Sequence, residues 1–179
     1  MTNPVVLITG ALTGIGRATA IAFAKEGARL VVSGRREAEG KALAAELGKR
    51  GAEAEFRTAD VRHEQEGEDL VAYTVKRFGR LDIAVNNAGT EGKPGPVTEQ
   101  TPETYAASFD TNVLGTLRGM KREPKAMQAQ GSGSAVMVPM PVTHMPPDGQ
   151  YPIKSTLVSV TCCMTRCVLE RCHAVYCSG

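Results

Sequence analysis

The sequence predicts a doubly wound α/β fold of Rossmann type, a parallel sheet with helices on both faces. Three observations carry that expectation. Short apolar runs alternate with helical patterns from Val5 to Val138, an order that yields parallel strands joined by right-handed crossovers. The first run, Val5-Val6-Leu7-Ile8-Thr9, stops at a turn with glycines at Gly10, Gly14 and Gly16, and a helical pattern begins immediately afterwards. Gly10, Gly34, Asp60 and Asn87 each stand where a strand ends, and in such sheets ligands bind at the carboxyl ends of the strands.

The elements follow in order. The opening helix places Ile15, Ala18 and Ala22 on one face and Arg17 and Lys25 on the other, and stops at Gly27. Arg29-Leu30-Val31-Val32-Ser33 reads as a second buried strand closed by Gly34-Arg35-Arg36. Glu37 to Arg50 gives a helix with Ala38, Leu43, Ala44 and Leu47 inward and Gly51 as its C-terminal stop. Ala54 to Ala59 is a weaker third strand, ending at Asp60-Val61. Leu70, Val71, Val75 and Phe78 mark the next helix, stopped by Gly79. Leu81 to Val85 forms the fourth strand and runs into Asn86-Asn87-Ala88-Gly89. A loop with Pro94 and Pro96 precedes a long helical stretch from Pro102 to Gln130, for which Pro124 predicts a kink. Ala135-Val136-Met137-Val138 is the fifth strand.

The glycine turn has a specific chemistry. Strand, turn and helix in that order aim the helix's free backbone N–H groups at the turn, where a phosphate is held without a cationic side chain. Gly10 lets the chain reverse, and Gly14 and Gly16 let the backbone approach a pyrophosphate and the helix close on the strand. A glycine-rich turn alone would be an ordinary loop; its place between strand and helix is what points to phosphate.

Bulk composition narrows the class further. The 179 residues are 42% hydrophobic and 22% charged, the balance of a globular domain. A net charge of +2 gives no general reason to expect nucleic acid. No apolar run reaches the ~20 residues of a membrane helix, and the N-terminus lacks a signal-peptide pattern, so a cytoplasmic address is expected. The five cysteines, Cys162, Cys163, Cys167, Cys172 and Cys177, all crowd the C-terminal end. Their spacing fits neither a disulfide scaffold nor a standard zinc site, so free thiols and no metal are expected.

With these residues in view, the chain resembles the short-chain dehydrogenase/reductase family from about Val5 to Val138. Thr9-Gly10-Ala11-Leu12-Thr13-Gly14-Ile15-Gly16 looks like that family's cofactor turn, Asp60-Val61 its adenine contact, and Asn86-Asn87-Ala88-Gly89 its fourth-strand motif. Asn112, in Thr111-Asn112-Val113-Leu114-Gly115, resembles its helix asparagine. The resemblance implies hydride transfer between a nicotinamide and a small alcohol or carbonyl substrate, in a homo-oligomer formed through the long helices. It assigns the cofactor to Thr9, Gly10, Thr13, Gly14, Ile15, Gly16, Arg35, Asp60, Val61, Asn87, Ala88 and Gly89. It assigns catalysis to Asn112 as holder of a water relay, Tyr151 as acid/base and Lys154 as its cationic support. A phenol is a poor base at neutral pH until a nearby cation stabilises its anion. Arg35 after Gly34, with no carboxylate ending the second strand, favours NADP(H) over NAD(H) through a forked guanidinium on the 2′-phosphate, although Glu37 could still serve NAD(H).

The chain also departs from that pattern. Met140 occupies the family's serine position and cannot donate a hydrogen bond; Thr143 and His144 are the nearby substitutes. Lys154 follows Tyr151 at i+3, not the family's i+4, which on a helix turns it by about 100°. Pro152 suits a first helical turn with Tyr151 at the cap. Residues 1–154 therefore read as the dinucleotide-binding domain and 155–179 as an atypical cysteine-rich tail, as a reading-frame change or alternative exon would produce. A fifth strand without the family's later strands would present an open edge. A binding protein without turnover is the alternative to an active oxidoreductase.

Overall fold

The computed structural model describes residues 3–93, 95–138 and the pair Cys162–Cys163. Their order is β1 (Val5–Ile8), α1 (Gly14–Lys25), β2 (Arg29–Gly34), α2 (Glu37–Lys49), β3 (Ala54–Thr58), α3 (Glu64–Phe78) and β4 (Ile83–Asn86). A 3-10 turn (Val97–Glu99), α4 (Pro102–Phe109), a π-helical turn (Asp110–Gly115), α5 (Thr116–Gln130), β5 (Ser134–Met137) and β6 (Cys162–Cys163) follow.

The sheet has the order β3-β2-β1-β4-β5-β6. Strands β1 to β5 pair in parallel, with Val6 facing Leu30 on one side and Ile83 on the other. The strand order reverses between β1 and β4, so a crevice opens there at the carboxyl ends. This is the doubly wound Rossmann-type architecture that the sequence predicts. The short strand β6 lies antiparallel to β5, pairing Cys163 with Ser134 and Cys162 with Ala135. At those two residues the outer edge of β5 is paired, contrary to the open edge expected.

Both faces of the sheet are covered. Val6, Ile8, Leu30 and Val32 pack with Ala20, Ala24, Leu43 and Leu47 on one side. Val5, Leu7 and Val31 pack with Leu70, Val71, Phe78 and Met127 on the other. Strand β1 is central to both layers, each of its four side chains at most 1% exposed, each worth about 1.5–3 kcal/mol on burial. That double burial explains why its sequence is a continuous apolar run instead of an alternating one.

Three local expectations are corrected. Helix α1 turns Gly16, Ala20 and Ala24 inward, while Ile15, Ala18 and Ala22 are exposed. The helix lies too close to the β1 turn for a side chain at position 16, so the small residues take the inner face. In α2 the buried set is Gly40, Leu43 and Leu47, and Ala38 is exposed. Phe56 fills the space beside Gly40, where a β-carbon would fall 2.0 Å from its ring. The long helix is interrupted at Asp110–Gly115, not at Pro124, which lies inside α5. The wider turn occurs where Gly115 meets Val61, whose Cγ2 would stand 2.6 Å from any β-carbon there.

Candidate dinucleotide site

The β1 turn is held by its neighbours on both sides. Thr9 N donates to Val85 O at 3.0 Å, and Ala11 N donates to Ser33 O at 2.9 Å. Thr9 Oγ1 accepts from Asn87 N at 3.1 Å and from Ala88 N at 3.2 Å. The Asn87 amide donates back to Thr9 O and to Gly10 O, at 3.2 and 3.0 Å. Thus the turns after β1 and β4 are one hydrogen-bonded unit, built by Thr9 and Asn87.

Glycine is required twice in that unit. Gly10 has φ of +64°, and a β-carbon on it would lie 2.6 Å from Ala88 Cα. One on Gly16 would lie 2.4 Å from both Asn87 Nδ2 and Gly10 O. Gly14, by contrast, has φ of +52° and nothing within 4 Å of its β-carbon position, so its open side faces free space. Helix α1 begins here, capped by an extended Thr13 whose side chain makes no capping bond. The first-turn N–H groups of such a helix have no partner within it, and the positive end of its dipole points outward.

A cleft of about 460 Å³ opens in front of this turn. Gly10, Thr13, Gly14 and Ile15 form its floor from the β1 side, and Asn87, Ala88 and Gly89 from the β4 side. Arg35, Asp60 and Val61 line it from the ends of β2 and β3. Ten of the twelve residues assigned from sequence therefore wall one cavity. Thr9 and Gly16 stand behind it; Thr9 is 6% exposed and acts through the hydrogen bonds above.

The structure adds Leu12, Gly34, Arg36, Ala59, Glu91 and Thr111 to the walls. Leu12 packs over position 34, where a β-carbon would be 2.7 Å from Leu12 Cδ1, so a larger residue there would require that side chain to shift. Glu37 does not line the cleft and pairs instead with Lys41 at 2.6 Å. Arg36 is detectable in the sequence as the neighbour of Arg35, and Thr111 as the neighbour of Asn112. Leu12 and Glu91 carry no local signal.

Asp60 is more constrained than its motif suggests. Arg62 donates through Nε to both carboxylate oxygens at 3.0 Å and through Nη2 to Oδ2 at 2.6 Å. That guanidinium holds the Asp60 carboxyl below its usual range against the opposing effect of burial. Asp60 is therefore an ionised acceptor at neutral pH, already bound from one side.

Asn112 does not line the cleft. It lies in the π-helical turn and clamps the chain beyond the β4 motif: its Oδ1 accepts from Thr90 N and its Nδ2 donates to Thr90 O, both at 2.8 Å. Such turns commonly mark functional positions in helices. Tyr151 and Lys154, with Met140, Thr143, His144 and Pro152, lie outside the described residues.

The family profile for short chain dehydrogenases matches residues 4–152. The chain belongs to the short chain dehydrogenase family. It is 39% identical over 137 residues to the A-factor type gamma-butyrolactone 1′-reductase (1S-forming) of Streptomyces virginiae, covering 76% of this chain and 53% of that one. Among solved structures, the actinorhodin polyketide ketoreductase with NADPH superposes with a TM-score of 0.72 at 40% identity, over 75% of this chain and 52% of that one. A short chain dehydrogenase/reductase from Burkholderia phymatum in complex with NAD gives 0.72 at 29% identity, over 75% and 48%. The chain thus spans about half the length of the short chain dehydrogenases it matches.

Proposed function

We propose that this short chain dehydrogenase binds a nicotinamide dinucleotide, NADP(H) in preference to NAD(H), and transfers hydride between it and a small alcohol or carbonyl compound. The observation that carries the reading is the convergence of the glycine turn, Asp60 and the Asn87–Gly89 turn on one cleft. The residues present fit the cofactor. The open side of Gly14 and the unpartnered amides of α1 match a diphosphate, and the turn from Gly10 to Gly16 carries no acidic side chain.

In this reading Thr13, Gly14 and Ile15 bind the diphosphate through backbone N–H groups, and Gly16 behind them lets α1 close on the turn. Asp60 accepts from the adenine amino group, and Val61 packs on its ring. Asn87, Ala88 and Gly89 border the nicotinamide. The preference for NADP(H) rests on Arg35 and Arg36 in the wall, the lack of a carboxylate at Gly34, and Glu37 being paired with Lys41. The cofactor, when bound, would supply hydride exchange with the carbonyl or alcohol carbon of the substrate. Tyr151 is the group that supplies or removes the proton at the substrate oxygen, and Lys154 favours the tyrosinate. Asn112, by fixing Thr90, keeps the loop beyond β4 in place for a water relay.

A second reading is binding without turnover. Met140 at the hydroxyl position and the i+3 spacing of Tyr151 and Lys154 favour it. NADPH consumption against a panel of carbonyl compounds, measured beside a binding titration, separates the two. Turnover abolished by Tyr151→Phe supports the enzyme; saturable binding with no turnover across the panel leaves the second reading.

The homo-oligomer is proposed to form through the outer face of α4, the π-helical turn and α5. Tyr105, Phe109, Val113, Leu114 and Leu117 are 36–60% exposed there, and Tyr105 stacks on Phe109 at 4.1 Å.

A further inference from the structure

One buried ionisable group has no part in the chemistry above. Glu123 is 2% exposed on the inner side of α5, and Asn86, at the end of β4, is 4% exposed. Asn86 Nδ2 donates to Glu123 Oε2 at 2.8 Å. The remaining oxygens of the two side chains both face Gly119: a β-carbon there would lie 2.4 Å from Asn86 Oδ1 and 2.9 Å from Glu123 Oε1. Glycine at 119 leaves open the space that these two oxygens face. Both are acceptors if Glu123 is ionised, whereas a neutral carboxyl offers one donor and one acceptor. That complement matches a carboxamide at both atoms.

The charged groups on the packed elements are engaged elsewhere. On α5, Arg122 bonds Glu64 of α3 at 2.7 Å and lies 3.5 Å from Glu68, Lys121 lies 3.8 Å from Glu64, and Arg118 donates to the Arg62 carbonyl. Lys125 and Asp110 are exposed. Strands β4 and β5 carry no ionisable side chain, and Asp82 before β4 is taken by Arg80 and Val5 N. With no cation opposing it among the described residues, burial pushes the Glu123 carboxyl up to about 7.

We propose that Glu123 is a positioning residue: as the neutral acid it clasps Asn86 by a two-point acid–amide pair and so fixes the turn that walls the cleft. The next residue, Asn87, makes every hydrogen bond that ties this turn to Thr9 and Gly10 through its own amide and side chain, save the one from Ala88 N. Loss of the Glu123 proton removes the bond to Asn86 Oδ1 and sets two acceptors against each other, which frees the end of β4. The consequence for nucleotide affinity rests on the proposed dinucleotide site; the clasp itself does not.

The test is hydrogen–deuterium exchange over residues 86–90 of the full chain without nucleotide, wild type against Glu123→Gln at matched pH. Glutamine keeps a donor and an acceptor at every pH. The expected result is equal protection near about pH 6 and, near about pH 8, exchange in the wild type on the order of tenfold faster, the effect of one hydrogen bond. A wild-type to variant ratio that does not change with pH overturns the proposal. Infrared spectroscopy of 13C-glutamate-labelled wild type serves if the variant does not fold, since the other glutamates among the described residues are at least partly exposed. A neutral carboxyl band present at about pH 6 and gone at about pH 8 supports the clasp, and a band absent at the lower pH or persisting at the higher one overturns it. Failure to bind NADPH at either pH would instead sink the nucleotide reading and leave the exchange result standing.

Discussion

Gly16 and Asn87 meet so closely that a β-carbon on the glycine would fall 2.4 Å from the asparagine's amide nitrogen. The same β-carbon would also strike the Gly10 carbonyl. Asn87 could rotate away, but it would then release Thr9 and Gly10. The backbone carbonyl cannot yield without moving the turn.

Gly16→Ala is therefore expected to cost about 1–3 kcal/mol of stability, the range for overpacking. It should also weaken NADPH by at least about tenfold, or 1.4 kcal/mol. Urea unfolding and a nucleotide titration of the same preparation check both. Wild-type affinity in a folded variant would show that the turn has slack the geometry denies it.

Asn112 grips Thr90 at both ends of its amide, so Asn112→Ala leaves one backbone donor and one acceptor without that partner. A loss of about 1–2 kcal/mol is expected, read as a lowered melting temperature. Asn112→Asp keeps the acceptor for Thr90 N and loses the donor to Thr90 O, so it should fall between wild type and the alanine variant.

Glu123 gives the chain a pH-dependent stability of definite sign. Its folded-state value of about 7 stands above the ordinary 4.5, so the unfolded chain releases this proton first. Stability from this group is full below about 4.5, declines as pH rises from there to about 7, and is then lost, by about 3 kcal/mol in all. Urea midpoints measured across that window should fall more steeply in wild type than in Glu123→Gln. Parallel slopes would mean that the carboxyl titrates as an exposed one.

The exposed stripe from Tyr105 to Leu117 predicts self-association. Light scattering behind size exclusion should give a mass of at least two chains for wild type. Leu117→Glu, which places a charge in the stripe, should shift the population toward monomer while the far-ultraviolet circular dichroism of the folded chain stays unchanged, as expected of a position exposed in the single chain. A wild-type monomer at high concentration would remove this face as an interface.

Much of the site was legible because its determinants are local. Gly10, Gly14 and Gly16 sit within one turn, and Asp60, Val61 and Asn87 to Gly89 each follow an apolar run that any parallel sheet would end at the same edge. What escaped depends on packing across the chain. Ile15 reads as an inward residue by hydrophobicity, yet the approach of α1 to the β4 turn admits only Gly16. Pro124 reads as a helix break, but α5 continues through it and the irregularity falls where Gly115 meets Val61. Glu123 stands between Arg122 and Pro124 with no local pattern to single it out. Only the fold shows that it points at Asn86. Leu12 reaches the cleft because it packs over Gly34, a relation between two turns that no spacing in the sequence encodes.

Whether the cleft between the β1 and β4 turns holds NADP(H), as proposed, is decided by a fluorescence titration of the full chain with NADPH and NADH. Saturable NADPH binding is predicted, tighter than NADH, with Arg35→Ala lowering NADPH affinity by about tenfold, as loss of a charge-assisted contact should, and leaving NADH unchanged. A folded chain with no saturable affinity for either nucleotide would contradict the account.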